Sequence, residues 1–228
     1  MGKGRLIVIE GACDGIGKST QYRLLRERLL SSGYAVAGHH FPSYGKAQAA
    51  PVEAYLRGEY GSVGSLSPYF VNALYAVDRA VTWHKDLREH YLAGEVILLD
   101  RYTTSSLIYQ ASQISDTDER REFIRYVTDF EYGRLGIGRP DSVIFLWAPY
   151  GTAASLREAR ESNDGISDDL HERDGEYMRR VYDLACELSD TLGWHRIICT
   201  RKDGSMRTRE EIHSDVFAAA QLGEEAEK

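Results

Sequence analysis

Leu6-Ile7-Val8-Ile9-Glu10-Gly11-Ala12-Cys13-Asp14-Gly15-Ile16-Gly17-Lys18-Ser19-Thr20 is the stretch on which the fold turns. Its first four residues are a short apolar run of the kind that forms a buried parallel strand. A glycine turn follows, and a Lys-Ser pair opens a helical pattern over 19–31 that puts Tyr22, Leu25 and Leu29 on one face and ends at Gly33. Strand, glycine turn and helix start in that order predict a phosphate cradle. Glycine there lets backbone N–H groups approach polyphosphate oxygens where a side chain would collide. Lys18 would span the β- and γ-phosphates as a point charge, and the Ser19 hydroxyl would ligate Mg²⁺. The spacing is one residue longer than the usual glycine, four residues, Gly-Lys-Ser. Ala12 stands where the first glycine is expected and Gly11 is one place early. The extra residue is expected to bulge at the strand end and leave the cradle intact.

Outward from this loop, further apolar runs read as buried strands at 34–37 with Phe41, at 96–99, at 143–147 and at 197–199. Helical patterns lie between them. Ser67-Pro68 reads as N-cap and first helical residue of a long helix reaching about Ala93 and stopped by Gly94. Others are expected at 104–112, 119–132, 152–161, 176–191 and 208–220. The alternation predicts a three-layer α/β/α fold with a five-stranded parallel sheet and helices on both faces. A polar stretch, Ser162 to Asp174, holds Gly165 and lacks an apolar face. It reads as a small lid at about 160–174 or as a plain solvated connection. Residues 1–222 are expected to form a single domain built on this phosphate loop and 223–228 an acidic flexible tail.

At 228 residues the chain can bury a sizeable core. Its net charge of −7 argues against nucleic acid as the main partner, which needs a basic surface. No segment reaches the length of a membrane span, and the first ten residues lead into a strand rather than a signal-peptide core. The three cysteines, Cys13, Cys186 and Cys199, lack metal-ligand spacing and read as reduced buried thiols. The expected location is the cytoplasm, with no membrane partner.

The strand at 96–99 delivers Asp100-Arg101 to its carboxyl end, where ligands bind in open α/β sheets. An aspartate there can hold Mg²⁺ or its waters, and an adjacent arginine can clamp phosphoryl oxygens bidentately. A structural Asp–Arg pair capping the next helix is the plainer alternative. His39 and His40 end a strand near the same cleft and read as ordinary strand-end residues. Trp83 reads as packing or a subunit contact.

Asp14-Gly15-x-Gly17-Lys18-Ser19-Thr20, Phe41-Pro42, Tyr75-x-x-x-Arg79, and Asp100-Arg101-Tyr102 with Ser105-Ser106 and Tyr109-Gln110 together resemble the thymidylate kinases, P-loop nucleoside monophosphate kinases. The resemblance covers about residues 5–112 and continues more loosely through the lid. It implies phosphoryl transfer from ATP to dTMP with Mg²⁺, and a homodimer through the long helices. Gly11, Asp14, Gly15, Ile16, Gly17, Lys18, Ser19 and Thr20 would form the ATP site, joined by Arg157. Ser19 and Asp100 would hold the metal. In the family an aromatic at the position of Tyr75 stacks on the thymine ring, and the arginine at Arg79 hydrogen-bonds the pyrimidine. Phe41 and Pro42 would belong to the dTMP site, Ser105 or Ser106 would contact the base, and Tyr109 would crowd the sugar where a ribose 2′-OH would sit. Asp14 resembles the loop aspartate that takes the 3′-OH.

An acceptor phosphate is mostly dianionic at neutral pH, its second pKa being about 6, so no general base is required. The obstacle is repulsion between polyanions, on the order of 4 kcal/mol per unit-charge pair at about 4 Å near a protein surface. Cations must therefore line the cleft. Lys18, Arg101 and Mg²⁺ supply part of this, and the family draws another arginine from the phosphate loop or from the lid. The loop here offers Gly15 and Ile16, so the lid is expected to provide it, through Arg160 or Arg157 with Arg173 behind. Catalysis is thus assigned to Lys18, Asp100, Arg101 and Arg160. Many relatives also carry an acceptor-gripping arginine beside Phe-Pro; here the stretch is Ser43-Tyr44-Gly45-Lys46, and Lys46 is the nearest cation.

Two other readings stand beside this one. A deoxynucleoside kinase would act on a neutral 5′-hydroxyl with Glu10 as base. A nucleotide-dependent binding protein would keep the ATP site without transfer.

Overall fold

The computed structural model describes residues 3–62, 64–156 and 175–220. Five parallel strands, β1 (Arg5–Gly11), β2 (Val36–His40), β3 (Val96–Asp100), β4 (Ser142–Trp147) and β5 (His195–Ile198), form one sheet in the order β2-β3-β1-β4-β5. From β1 the chain goes first to β2 and β3 on one side and then to β4 and β5 on the other. The carboxyl end of β1 is therefore the switch point where an open sheet leaves a crevice. Register aligns Ile9 with Asp100 and His40 with Asp100, so three strand ends meet there.

Alternation along β1 explains the layers. Leu6 and Val8 enter a cluster with Trp83, Leu87, Ile97, Leu99 and Tyr102, whereas Ile7 and Ile9 enter a larger one with Leu25, Leu29, Leu98 and Ile144. Both faces are covered by helices, which is why the strands read as continuous apolar runs.

Helices follow the expected order with shifted ends. Helix α1 is Lys18–Ser31, α2 Ala50–Leu56, α3 Pro68–Thr82, α4 Arg88–Leu92, α5 Thr103–Tyr109 and α6 Thr117–Thr128. Later helices are Gly175–Thr191 and Arg209–Ala219. The helix expected from Ser67 to Ala93 is not uniform: a π turn, Trp83–Leu87, separates α3 from α4, and both of its ends are buried. The wider turn accommodates an extra residue without ending the helix. Helix α6 starts earlier than expected because Asp116 caps it, accepting from the N–H groups of Asp118 and Glu119 at 2.9 Å. Thr208 and Glu211 form a reciprocal capping box at the last helix.

Two strands are displaced from their expected limits. Tyr34 still belongs to the turn after α1, donating to the Leu29 carbonyl at 3.1 Å, and β2 starts only at Val36. At the other edge β5 begins at His195, whose polar side chain an edge strand tolerates. Residues 150–156 are helical. The remainder of the helix expected at 152–161, the lid expected at 160–174 and the tail at 223–228 lie outside the described residues.

Trp83 is 3% exposed and packs against Tyr91 with tilted rings whose centroids are 5.4 Å apart, so within the chain it is a packing residue. It lies against Gly138, where an added Cβ would meet the indole at 2.3 Å and Leu6 at 2.9 Å. Gly138→Ala is therefore expected to destabilise the protein by about 1–3 kcal/mol, the range for overpacking a filled core. Differential scanning calorimetry showing an unchanged melting temperature would contradict this packing.

Candidate active site

The phosphate loop runs from the end of β1 to the start of α1. Gly15 and Gly17 have φ of 80° and 103°, left-handed values that suit glycine, and Gly17 occupies the N-cap of α1. A Cβ on Gly11 would lie 2.9 Å from the Ile16 side chain and 3.1 Å from that of Lys18. Gly11 is thus the close-approach glycine of the loop although it stands one place early. The bulge expected at the strand end is not found there: Gly11 pairs in register with Leu146, and Ala12 N–H continues the ladder onto β4, donating to Leu146 O at 3.0 Å. Ile16 folds inward and is buried. Lys18 Nζ donates to Cys13 O at 3.1 Å and to Asp14 Oδ1 at 2.9 Å.

Asp14 joins this loop to the end of β3. The same Oδ1 accepts from Arg101 Nη2 at 2.5 Å, so one carboxylate oxygen bridges the two cations assigned to the phosphates. Arg101 has φ 64°, a left-handed conformation for a residue with a side chain. Strained backbone of this kind costs on the order of 1–3 kcal/mol and persists where the surroundings hold it. Here its N–H donates to Ile9 O at 3.1 Å, Nη1 donates to Tyr109 OH at 3.4 Å, and the guanidinium lies 5.5 Å from the Tyr109 ring centre. Burial pushes the Tyr109 phenol well above its ordinary pKa, so it stays neutral.

Glu10 is fully buried behind Arg101, 3.8 Å from its Nη1. Its carboxylate accepts from Thr104 Oγ1 at 3.0 Å, Ser105 Oγ at 2.6 Å and Gly11 N–H at 3.3 Å. A carboxylate so engaged and so enclosed is not placed to take a proton from a substrate hydroxyl. The deoxynucleoside-kinase reading, which needs Glu10 as base, loses its key residue.

Where the sequence places the metal, Ser19 Oγ lies 3.4 Å from Asp100 Oδ2, and His40 Nδ1 lies 3.2 Å from the same oxygen. Asp100 Oδ1 is buried and has no hydrogen-bond partner among the described residues. Burial alone would raise the Asp100 pKa, but the His40 hydrogen bond and the Lys18 and Arg101 charges outweigh it and hold the carboxyl below its ordinary value. An ionised carboxylate with an orphaned oxygen beside a serine hydroxyl fits a small hard cation that draws its remaining ligands from phosphate and water.

One cavity is walled by Asp14, Pro42, Tyr44, Leu56, Tyr75, Arg79, Arg101, Ser105, Ser106, Tyr109 and Gln110. It brings together most of the residues assigned to the acceptor. Phe41 is the exception: it is 3% exposed and packs at 5.8 Å from Tyr102, so Pro42 alone of the pair forms the wall. Its expected place in the dTMP site is corrected to a backing role, because the side chain is buried in the core cluster with Tyr102. The wall residues Tyr44 and Leu56 carry no motif signal beyond their neighbourhood, whereas Gln110 belongs to the Tyr109-Gln110 pair quoted above.

Arg79 does not lie on the surface. It is 2% exposed and held in a fork by Glu131, Nε to Oε2 at 2.7 Å and Nη2 to Oε1 at 2.6 Å. The same Nη2 reaches Ser106 Oγ at 2.9 Å, and the guanidinium lies 6.0 Å from the Tyr75 ring centre. Burial would lower the Arg79 pKa, but the Glu131 carboxylate reverses this and keeps the charge. Glu131 escaped sequence reading because it sits 52 residues from Arg79 in an unremarkable polar stretch. Ser105 lines the cavity but donates its hydroxyl to Glu10.

The turn after Pro42 is pinned by buried Asp78, which accepts from Ser43 N–H at 2.8 Å, and by His39 Nε2 against Ser43 Oγ at 2.7 Å. Burial, with help from the Lys46 charge, lowers the His39 pKa. Lys46 itself is exposed, with Nζ 3.5 Å from Asp86, and does not line the cavity. Arg157, Arg160 and Arg173 lie outside the described residues. Among the described residues no helix is long and apolar enough to cross a membrane.

A family model described as "Thymidylate kinase" matches residues 9–212. A thymidylate kinase from Mycobacterium tuberculosis (strain CDC 1551 / Oshkosh) is 34% identical over 193 residues, covering 83% of this chain and 87% of its own. A probable thymidylate kinase from Thermococcus onnurineus (strain NA1) is 30% identical, covering 93% and 95%. The thymidylate kinase structure from Candida albicans superposes with a TM-score of 0.66 at 19% identity over 95% of this chain and 90% of that one, a likeness of fold.

Proposed function

The chain belongs to the thymidylate kinase family of nucleoside monophosphate kinases, and from that premise we propose how its residues move the γ-phosphoryl of ATP to dTMP, giving ADP and dTDP. The observation that carries the reading is the Asp14 carboxylate bridging Lys18 and Arg101 at the mouth of the cavity that holds Tyr75, Arg79 and Tyr109. One aspartate thus ties the donor-side cation to the acceptor-side cation.

ATP would lie along Gly11, Asp14, Gly15, Ile16, Gly17, Lys18, Ser19 and Thr20, with loop N–H groups and Lys18 on its phosphates. Ser19 and Asp100 would hold Mg²⁺, which when bound neutralises charge on the transferring phosphoryl group. On the acceptor side Tyr75 stacks on the base, Arg79 and Ser106 meet its edge, Asp14 takes the sugar 3′-OH, and Tyr109 closes the space of a 2′-OH. Arg101 clamps the acceptor phosphate. Arg157 and Arg160 complete the cation set from the lid. The dianionic acceptor needs no base, so catalysis rests on positioning and on cancelling repulsion.

A coupled assay for ADP release across mono- and deoxymononucleotides and nucleosides tests the reading. Strong release with dTMP supports it; release only with nucleosides, or none, defeats it.

The protein is read as a cytoplasmic homodimer. Phe70, Val77 and Val81 are 46%, 51% and 40% exposed on α3 at helical spacing, an apolar stripe that a second copy would cover. Val77→Asp is expected to shift the protein to monomer in analytical ultracentrifugation, and a wild-type monomer at micromolar concentration would refute this interface.

A further inference from the structure

In the sequence His40 reads as an ordinary strand-end residue; the fold gives it a specific partner. It is the last residue of β2, and its register partner on β3 is Asp100. The ring Nδ1 lies 3.2 Å from Asp100 Oδ2; since an ionised carboxylate only accepts, Nδ1 carries the proton. The Asp100 side chain is 5% exposed and that of His40 is 47% exposed, so the histidine approaches the buried carboxylate from the cleft side. Phe41 N–H donates to Asp100 O at 3.0 Å, tying the two backbones together, and the His40 ring stacks on Tyr44 with centroids 6.2 Å apart.

The distribution of contacts over Asp100 is uneven. His40 and Ser19 both meet Oδ2, and Oδ1 is buried without a hydrogen-bond partner. A carboxylate on a short side chain rotates over a broad, nearly two-fold torsion. The Lys18 and Arg101 charges lie close enough to bias that rotation. A directional N–H bond to Oδ2 sets that rotation and keeps the same oxygen beside the Ser19 hydroxyl.

We propose that His40 is a positioning residue of the divalent-cation site, holding the Asp100 carboxylate by Oδ2 in the rotation that turns it toward Ser19. The inference rests on the nucleotide and metal reading given above. It assigns His40 an effect on cation affinity that no carboxylate-capping role alone would have. Partners that orient a metal-binding carboxylate typically matter about 10–100-fold for affinity.

Mn²⁺ titrated by electron paramagnetic resonance into the protein with a non-hydrolysable ATP analogue tests it, with melting temperature followed in parallel. His40→Ala is expected to weaken Mn²⁺ binding by roughly 10–100-fold. His40→Asn places an amide N–H at the same bond count from Cβ as Nδ1 and is expected to recover most of the affinity. His40→Gln places it one bond further and is expected not to. Unchanged Mn²⁺ affinity in folded His40→Ala, or equal affinities in the Asn and Gln variants, overturns the inference and leaves the kinase reading standing. Failure of the wild-type protein to bind Mn²⁺ with the analogue overturns both.

Discussion

Lys18→Ala is expected to lower kcat about a thousand-fold while leaving the fold intact. The magnitude follows from one uncompensated unit-charge pair, on the order of 4 kcal/mol at about 4 Å, at about 1.4 kcal/mol per decade of rate. Nζ of Lys18 is held by the Cys13 carbonyl and Asp14, and Asp14 keeps Arg101 as its partner when the lysine is gone. The melting temperature should therefore move by only a few degrees. Lys18→Arg is expected to rescue little. The loop closes on an unbranched chain, with the Gly11 Cβ position 3.1 Å from Lys18 Cδ, and a planar fork does not occupy the same space. Steady-state kinetics at saturating ATP and dTMP decide the matter; retention of more than about a tenth of wild-type kcat would remove Lys18 from the transition state.

Glu131→Ala is expected to be among the most destabilising single changes. It leaves a buried guanidinium without its counter-charge and takes the acceptor from Thr103 Oγ1, which donates to Glu131 at 2.8 Å. Breaking a buried pair in this way costs about 3–5 kcal/mol. For a chain of this size that corresponds to a fall in melting temperature of about 6–20 °C. Replacing both partners is a different experiment. Arg79→Met with Glu131→Leu removes two buried charges together and is expected to regain much of the lost stability. It should not regain dTMP affinity, because the arginine proposed to meet the base is gone. Calorimetry and dTMP titration separate the two quantities. A Glu131→Ala protein that melts like wild type, or a double variant that binds dTMP normally, contradicts this account of Arg79.

These two sites differ in how visible they were beforehand. Lys18 announces itself because everything that makes it a phosphate ligand lies within fifteen residues: an apolar strand, left-handed glycines and a helix start. Arg79 was singled out only through its spacing from Tyr75 and its resemblance to a family motif. Its burial and its fork with Glu131 had no local trace, since a polar residue in a helix looks the same whether it faces water or a guanidinium. His40 is a similar case. Its neighbourhood in sequence is a strand end, and its importance comes from facing a residue 60 positions away across a ladder. Phe41 erred in the other direction, because a motif names a residue without saying which way its side chain turns.

By itself the sequence determined the parallel sheet, the phosphate loop and the order of helices, since apolar period, glycine conformation and capping are properties of short segments. The tertiary structure decided which charges face one another. Strand order β2-β3-β1-β4-β5 brings Glu10, Asp14, His40, Asp100 and Arg101 to one crevice, and the packing of α3 against the turn after α6 brings Arg79 to Glu131. The physical reason is range: backbone propensity acts over a few residues, whereas a charge pair takes its energy from distance and burial in space, whatever the separation along the chain.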